Sequence, residues 1–316
     1  MKIKKPYFWD LKKPNIFSYI LLPFTLPVLL NNFLSNLINK NKVNKKIKTI
    51  CVGNIYVGGT GKTPLVIKLS KIFNELNYKT GVIKKFYKDQ NDEQKLIKNK
   101  TKLYCFNKRE SALNRAIKDK IDIALFDDGL QDRSINYNLK FVCFNRSRGV
   151  GNGFLIPAGP LREKIQSLKK YDAVFINGNK KNNKNLKRLC KKHNSKIEIF
   201  ETYYRPTNIK NFSKHGKYLI FSGIGNPGSF KETVLENNLN ISKDMRFPDH
   251  YQYNKSDIKK IKSYAKNLSS KILTTEKDYS KLDKNDAKGI NYLSIDLSIK
   301  NENKLIKFIK SKVWSK

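Results

Sequence analysis

Residues 47–64 read Ile47-Lys-Thr-Ile-Cys-Val-Gly53 and then Asn54-Ile-Tyr-Val-Gly-Gly-Thr-Gly-Lys-Thr-Pro64. The first half is a short β-prone run. The second is glycine-rich and ends in Lys-Thr, and beyond it Leu65, Leu69, Ile72 and Leu76 recur at helical spacing. Strand, glycine-rich loop, Lys-Thr and helix come in the order that a phosphate-binding loop requires. Glycines let backbone N–H groups turn toward phosphate oxygens, and the helix N-terminus adds partial positive charge. Tyr56, Val57, Gly58, Gly59, Thr60 and Gly61 are thus the expected cradle of a nucleoside triphosphate. Lys62 would reach the β- and γ-phosphates, and the Thr63 hydroxyl would hold Mg²⁺. The strict pattern has a glycine where this chain carries Tyr56.

A second element supports the first. The run Ile121-Asp-Ile-Ala-Leu-Phe-Asp-Asp-Gly129 reads as a buried strand ending in Asp127 and Asp128. Such a strand beside the loop delivers a carboxylate that binds Mg²⁺ directly or through water. Strand and helix patterns then alternate: 47–53, 64–77, 79–84, 111–118, 121–127, 140–144, 173–177, 183–193 and 196–200. Beyond a polar connection near 205–216 they resume, with a strand at 218–221, a helix after Gly228 and another at 256–267. Strands at 271–275 and 291–297 and a final helix at 302–314 complete the pattern. Alternation of this kind implies parallel sheets covered by helices. The expected fold is α/β: a P-loop NTPase-type parallel-sheet domain over 45–205 and a smaller C-terminal α/β domain over 206–316. The cleft between them should bind substrate.

Residues 16 to 39 carry no charge, and Lys12, Lys13, Lys40, Lys42, Lys45, Lys46 and Lys48 flank them. Pro23 and Pro27 interrupt the first half. In the second, Leu26, Leu29, Leu30, Phe33, Leu34, Leu37 and Ile38 lie on one helical face, opposite Asn31, Asn32, Ser35, Asn36 and Asn39. That amphipathic pattern suits a helix lying in a membrane interface, with 1–44 as a membrane-associated segment on an anionic surface. Packing on the protein's own core is the alternative.

Composition narrows the class. The net charge is +39, but only nine of the 65 basic residues are arginine and the lysines run along the whole chain. A nucleic-acid binder concentrates its basic residues on one element, so no nucleic-acid partner is expected. The four cysteines show no metal-binding spacing and no disulfide framework, which fits a reducing cytoplasmic setting.

Around these elements the chain resembles the tetraacyldisaccharide 4'-kinase family nearly end to end. The matching segments are VGNIYVGGTGKTP (52–64), DDGLQDRSI (127–135), RGVGNGFLIPAGPLRE (148–163), NG (177–178), SGIGNPGSF (222–230), FPDHYQY (247–253) and TTEKD (274–278). The resemblance implies transfer of the γ-phosphate of ATP to the 4'-hydroxyl of an acylated glucosamine disaccharide 1-phosphate, a lipid A precursor. It also implies a peripheral site on the cytoplasmic face of a bacterial inner membrane. As proton acceptor it implies an acidic residue paired with a histidine, here Asp92 (in Asn91-Asp-Glu-Gln94) and His250. The other two histidines, at 193 and 215, lie outside the matching segments. Lys62 and Asp128 complete the catalytic set.

Arg162, in Gly159-Pro-Leu-Arg-Glu163, suits a bidentate phosphate contact; an ion pair with Glu163 or another carboxylate is the competing role. Arg148 is a weaker candidate. The family's Ser-Arg-Gly-Tyr is Lys84-Lys-Phe-Tyr87 here, followed by a short connection to Asp92 that lacks the usual Gly and Pro. A switch or metallochaperone-type NTPase also accounts for GGTGKT and Asp127-Asp128. It leaves the PAGPLRE and FPDH segments without a role.

Overall fold

The computed structural model describes residues 5–37, 46–132, 134–178 and 183–314, apart from the side chains at 35–37 and 89. Ile38, Asn39, Lys40, Lys42 and Lys45 of the N-terminal pattern, and Arg133 of DDGLQDRSI, lie outside the described residues. The strands are β1 (Lys48–Gly53), β2 (Thr80–Lys85), β3 (Leu103–Phe106), β4 (Ile123–Asp127), β5 (Leu139–Asn145), β6 (Ala173–Asn177), β7 (Glu198–Pro206), β8 (Lys217–Ser222), β9 (Asn240–Arg246), β10 (Lys271–Thr275), β11 (Ile290–Leu293) and β12 (Ile295–Ile299). The helices are α1 (Ile16–Ile20), α2 (Leu26–Leu37), α3 (Lys62–Glu75), α4 (Asn91–Lys100), α5 (Arg109–Lys118), α6 (Lys184–His193), α7 (Pro227–Glu236), α8 (Lys255–Asn267), α9 (Glu276–Tyr279) and α10 (Glu302–Val313).

Eight strands form one sheet in the order β12-β7-β6-β5-β1-β4-β2-β3, and four form a second in the order β11-β10-β8-β9. Every pairing is parallel except β12 with β7. β1 and β4 sit side by side near the middle of the large sheet and are almost wholly buried, as continuous apolar strands covered on both faces must be. Their register places Val52 opposite Asp127. The loop after β1 and the carboxylates ending β4 therefore meet at one edge, where ligands bind in open parallel sheets.

One sequence expectation needs correction. The strand expected over 291–297 is two strands, β11 in the small sheet and β12 in the large one. The C-terminal unit consequently ends near 293, and the last strand and helix return to the P-loop sheet rather than completing a 206–316 domain. Their side chains supply the reason. Leu297 and Ile299, with Leu305, Ile309 and Val313 at helical spacing, fill the same core as Leu65, Leu69, Phe73, Phe141, Phe175 and Phe200. Each such burial stabilises by about 1.5–3 kcal/mol.

The short connection before Asp92 forms a 3₁₀ turn leading into α4, with Asp92 and Glu93 in the first helical turn. The four-residue β3 and the polar-patterned β9 also went unread.

At the N-terminus, α1 and α2 are separated by a 3₁₀ turn at Pro23–Thr25. No helix among the described residues is long and apolar enough to cross a membrane. Among the described residues, twelve of the nineteen exposed large apolar side chains fall between Tyr7 and Leu34, including Phe24, Leu26, Leu30, Phe33 and Leu34. Asn32 turns inward and donates from Nδ2 to the Arg162 carbonyl at 2.9 Å. Val28 and Leu29 of the same helix also turn inward and pack on Tyr56, Leu155 and Leu161.

Candidate active site

A cavity of about 680 Å³ lies between the two sheets, and Gly58 to Thr63 form part of its wall. Gly58 (φ +94°) and Gly61 (φ +84°) hold left-handed conformations that favour glycine. Gly59 lies so close to the Gly225–Asn226 backbone that an added Cβ would come within 2.9 Å of Gly225 C. No side chain caps the N-terminus of α3. Its first amides remain available to an anion, in keeping with the phosphate cradle read from the sequence.

Opposite the cradle stand the β4 carboxylates. Thr63 Oγ1 donates to Asp127 Oδ2 at 3.0 Å. Asp127 is fully buried, and its Oδ1 has no hydrogen-bond partner among the described residues. A buried carboxylate oxygen left over beside a threonine hydroxyl fits Mg²⁺, which takes one or two protein oxygens and completes its shell from phosphate and water. Asp128 has φ +60° and lies 3.7 Å from Lys62 Nζ. Burial works to raise its carboxyl, but Lys62 and Arg162 outweigh it and hold the group below the ordinary range. Arg162 Nη1 reaches both Asp128 oxygens, at 3.2 and 3.4 Å. Glu163 is engaged elsewhere, with Gln131 and Tyr171.

Lys84 ends buried beside these groups. Its Nζ is 2.8 Å from Asp127 Oδ2 and 2.8 Å from Glu93 Oε2. Burial would lower its pKa, but Asp127 and Glu93 more than compensate and raise it.

The second sheet contributes the rest. His250 has φ +58° and donates its backbone N–H to the Gly223 carbonyl at 3.2 Å. A left-handed histidine is uncommon and costs on the order of 1–3 kcal/mol. This one aims its imidazole across the cleft, with Nδ1 2.9 Å from Asp92 Oδ1, 158 residues away in sequence. Lys281 and Lys277 stand 3.3 and 3.5 Å from Asp92 Oδ2. Burial would raise the Asp92 carboxyl, yet the His250 contact and the two lysines hold it well below the usual range. Glu93 is likewise depressed, since Lys277 and Lys84 outweigh its burial. His250 lines the cavity, whereas Asp92 lies behind it with only 3% of its surface exposed.

A sequence model of the family described as Tetraacyldisaccharide-1-P 4'-kinase matches residues 18–314. The chain belongs to that family. It is 48% identical over 312 residues to the tetraacyldisaccharide 4'-kinase of Pelagibacter ubique, covering 97% of this chain and 98% of that one. With the enzyme of the same name from Rickettsia typhi it shares 35% identity over 323 residues, covering 95% and 96%. The solved structure of LpxK from Aquifex aeolicus in complex with ATP superposes with a TM-score of 0.69 at 21% identity, covering 94% of this chain and all of that one. That likeness confirms the fold.

Within this family frame, Lys62, Thr63, Asp127, Asp128, Arg162, Asp92 and His250 come together around one cavity. Tyr56 and Val57 do not. The Tyr56 ring packs with Leu155 and Leu161, its hydroxyl bonds to Asp10, and Val57 N donates to the Pro160 carbonyl. Both are turned away from the cradle that was expected to include them. Arg148 donates to the Gly225 carbonyl at 2.8 Å and so links the two units. Sequence reading missed Glu93, Lys277 and Lys281 as site residues and gave Lys84 no role of its own. Lys85 sits over the Tyr87 ring. Glu93 and Lys277 stand inside segments already singled out, which was the available signal.

Burial pushes the Cys143 and Cys190 thiols up to about 12, so neither is a nucleophile near neutral pH.

Proposed function

We infer that the family's reaction runs at this cavity: the γ-phosphate of ATP passes to the 4'-hydroxyl of a tetraacyldisaccharide 1-phosphate, and the Asp92–His250 pair accepts the hydroxyl proton. The observation that carries this reading is the 2.9 Å contact between His250 and Asp92 on the cavity that the phosphate loop walls. Phosphoryl transfer asks for charge neutralisation, alignment and a proton acceptor, with little covalent chemistry from the protein.

Lys62 and the α3 amides bind the β- and γ-phosphates. Thr63 and Asp127 would hold Mg²⁺, which would supply neutralisation of phosphate charge. Arg162 is placed to exchange Asp128 for a phosphate oxygen. His250 presents Nε2 to the acceptor and takes its proton, while ionised Asp92 fixes the imidazole through Nδ1. The test is γ-labelled ATP with Mg²⁺ and the tetraacyldisaccharide 1-phosphate in detergent micelles. Label appears on the lipid; ATP hydrolysis indifferent to lipid would refute the reading and favour a switch NTPase.

The acceptor is a lipid, and the outward-facing apolar side chains of α1 and α2 provide a docking face at the cytoplasmic surface of the inner membrane. Burying one large apolar side chain is worth about 1.5–3 kcal/mol. A Phe24→Glu, Phe33→Glu double variant should therefore lose association with anionic phospholipid vesicles by at least about 10²-fold, measured by flotation, while still phosphorylating detergent-dispersed acceptor. Undiminished flotation would remove α1 and α2 as the docking face.

A further inference from the structure

We propose that Lys84 is a positioning residue that keeps the proton-accepting pair in register with the phosphoryl site; this rests on the assignment of Asp92 and His250 made above. Its ammonium joins two carboxylates from different elements, Asp127 Oδ2 on β4 and Glu93 Oε2 on α4, each at 2.8 Å. The side chain is only 3% exposed and borders the same cavity as Lys62 and His250.

The two ends of this bridge are not equally constrained. Lys84 and Asp127 are register partners across the β2–β4 ladder, so the backbone fixes that end. At the other end, α4 starts with no side chain capping its N-terminus. Ile97 anchors the helix body in the large core; the first turn is held by the hydrogen bond from Gln94 Nε2 to the Tyr87 carbonyl at 2.8 Å and by the ion pairs of Asp92 and Glu93. Lys277 and Lys281 tie that turn to the C-terminal unit, which carries His250. Of the three lysines, Lys84 is the one that ties it to the sheet bearing Asp127 and the phosphate loop. Without it, two carboxylates would face each other with no cation between them. The first turn of α4 would then move off the sheet and carry Asp92, and with it the imidazole, out of line with the γ-phosphate.

Lys84 Nζ makes both contacts of the bridge. Lysine suits it because a compact ammonium with three donors can serve two carboxylates at once.

The experiment measures kcat at saturating ATP, Mg²⁺ and acceptor, together with equilibrium binding of a fluorescent ATP analogue, in four variants. These are Lys84→Met, Lys84→Arg, His250→Ala and the Lys84→Met, His250→Ala double variant. Misplacing reacting groups by about 1 Å costs on the order of 10²-fold, and that is the loss of kcat expected for Lys84→Met. Nucleotide affinity should change by less than about threefold, because the cradle is intact, and Lys84→Arg should recover most of the rate. Adding Lys84→Met to His250→Ala should lower the rate by less than about threefold further, since Lys84 acts through the pair.

A double variant that loses the product of the two effects overturns the inference. So does a Lys84→Met protein whose nucleotide binding falls in step with its rate. Wild-type kcat in His250→Ala removes instead the pair assignment on which the inference stands. If Lys84→Met does not fold, because Asp127 is left as a buried unpaired charge, Glu93→Gln cuts the same bridge at its other end and leaves Lys84 on Asp127. The same loss and the same non-additivity with His250→Ala are then expected, and full activity in Glu93→Gln refutes the proposal.

Discussion

Lys62→Ala lowers kcat/KM for ATP-dependent phosphorylation of the acceptor by about 10²–10³-fold, as losing a preorganised donor at developing charge does elsewhere. Lys62 is the first residue of α3 and the cation that the cavity places beside the glycine turn. Its partner Asp128, at 3.7 Å, keeps it aimed across the cavity until a phosphate replaces the carboxylate. The variant should still fold. This ion pair is partly solvated (side chains 16% and 28% exposed), and pairs of that kind contribute about 0–1 kcal/mol. A thermal melt separates the two effects: the midpoint stays near wild type while label transfer disappears. Lys62→Arg restores charge but replaces a point donor with a planar fork in a loop built around three close glycines, so it should recover only part of the rate. Retention of a tenth of wild-type kcat/KM in Lys62→Ala would show that the loop binds phosphate by backbone alone.

The phosphate loop and the β4 carboxylates were legible because each is a local pattern with its own physics. A glycine turn must precede a helix N-terminus, and an apolar strand must end where its carboxylates can leave the core. The pairing of Asp92 with His250 was reachable only through family resemblance, since nothing local to either residue points to a partner 158 positions away. Lys84 was illegible for a compositional reason. In a chain with 65 basic residues, nine of them arginine, one more lysine carries no signal until a fold buries it. Ser294 marks a comparable limit for the fold. The residues around it read as one strand-like run, and only the separate cores on either side divide that run between two sheets. Tyr56 shows the opposite error. Counting back along the glycine motif assigned it to the cradle, whereas its ring had an apolar pocket under α2 to fill.

Asp92→Asn should reduce kcat by about 10²–10⁴-fold, the range that a positioned proton acceptor or its orienting carboxylate supplies. The amide can still meet His250 Nδ1, but it can no longer stabilise the imidazolium that forms when Nε2 takes the acceptor's proton. Because Asp92 is held well below the ordinary carboxylate range, it is ionised throughout the neutral region, and its charge is in place before the proton arrives. Nucleotide affinity should be unchanged, since Asp92 lies behind His250 and does not border the cavity. The fold should survive as well: Lys281 keeps Asp278 at 2.7 Å, and Lys277 keeps Glu93 at 3.1 Å. Comparison with His250→Ala decides how the pair works. If both variants lose the same factor, the imidazole takes the proton and Asp92 serves it. If His250→Ala keeps a tenth of the rate while Asp92→Asn is inactive, the carboxylate itself is the acceptor. The strained turn at His250 would then serve to hold a cation beside it rather than to deliver a base.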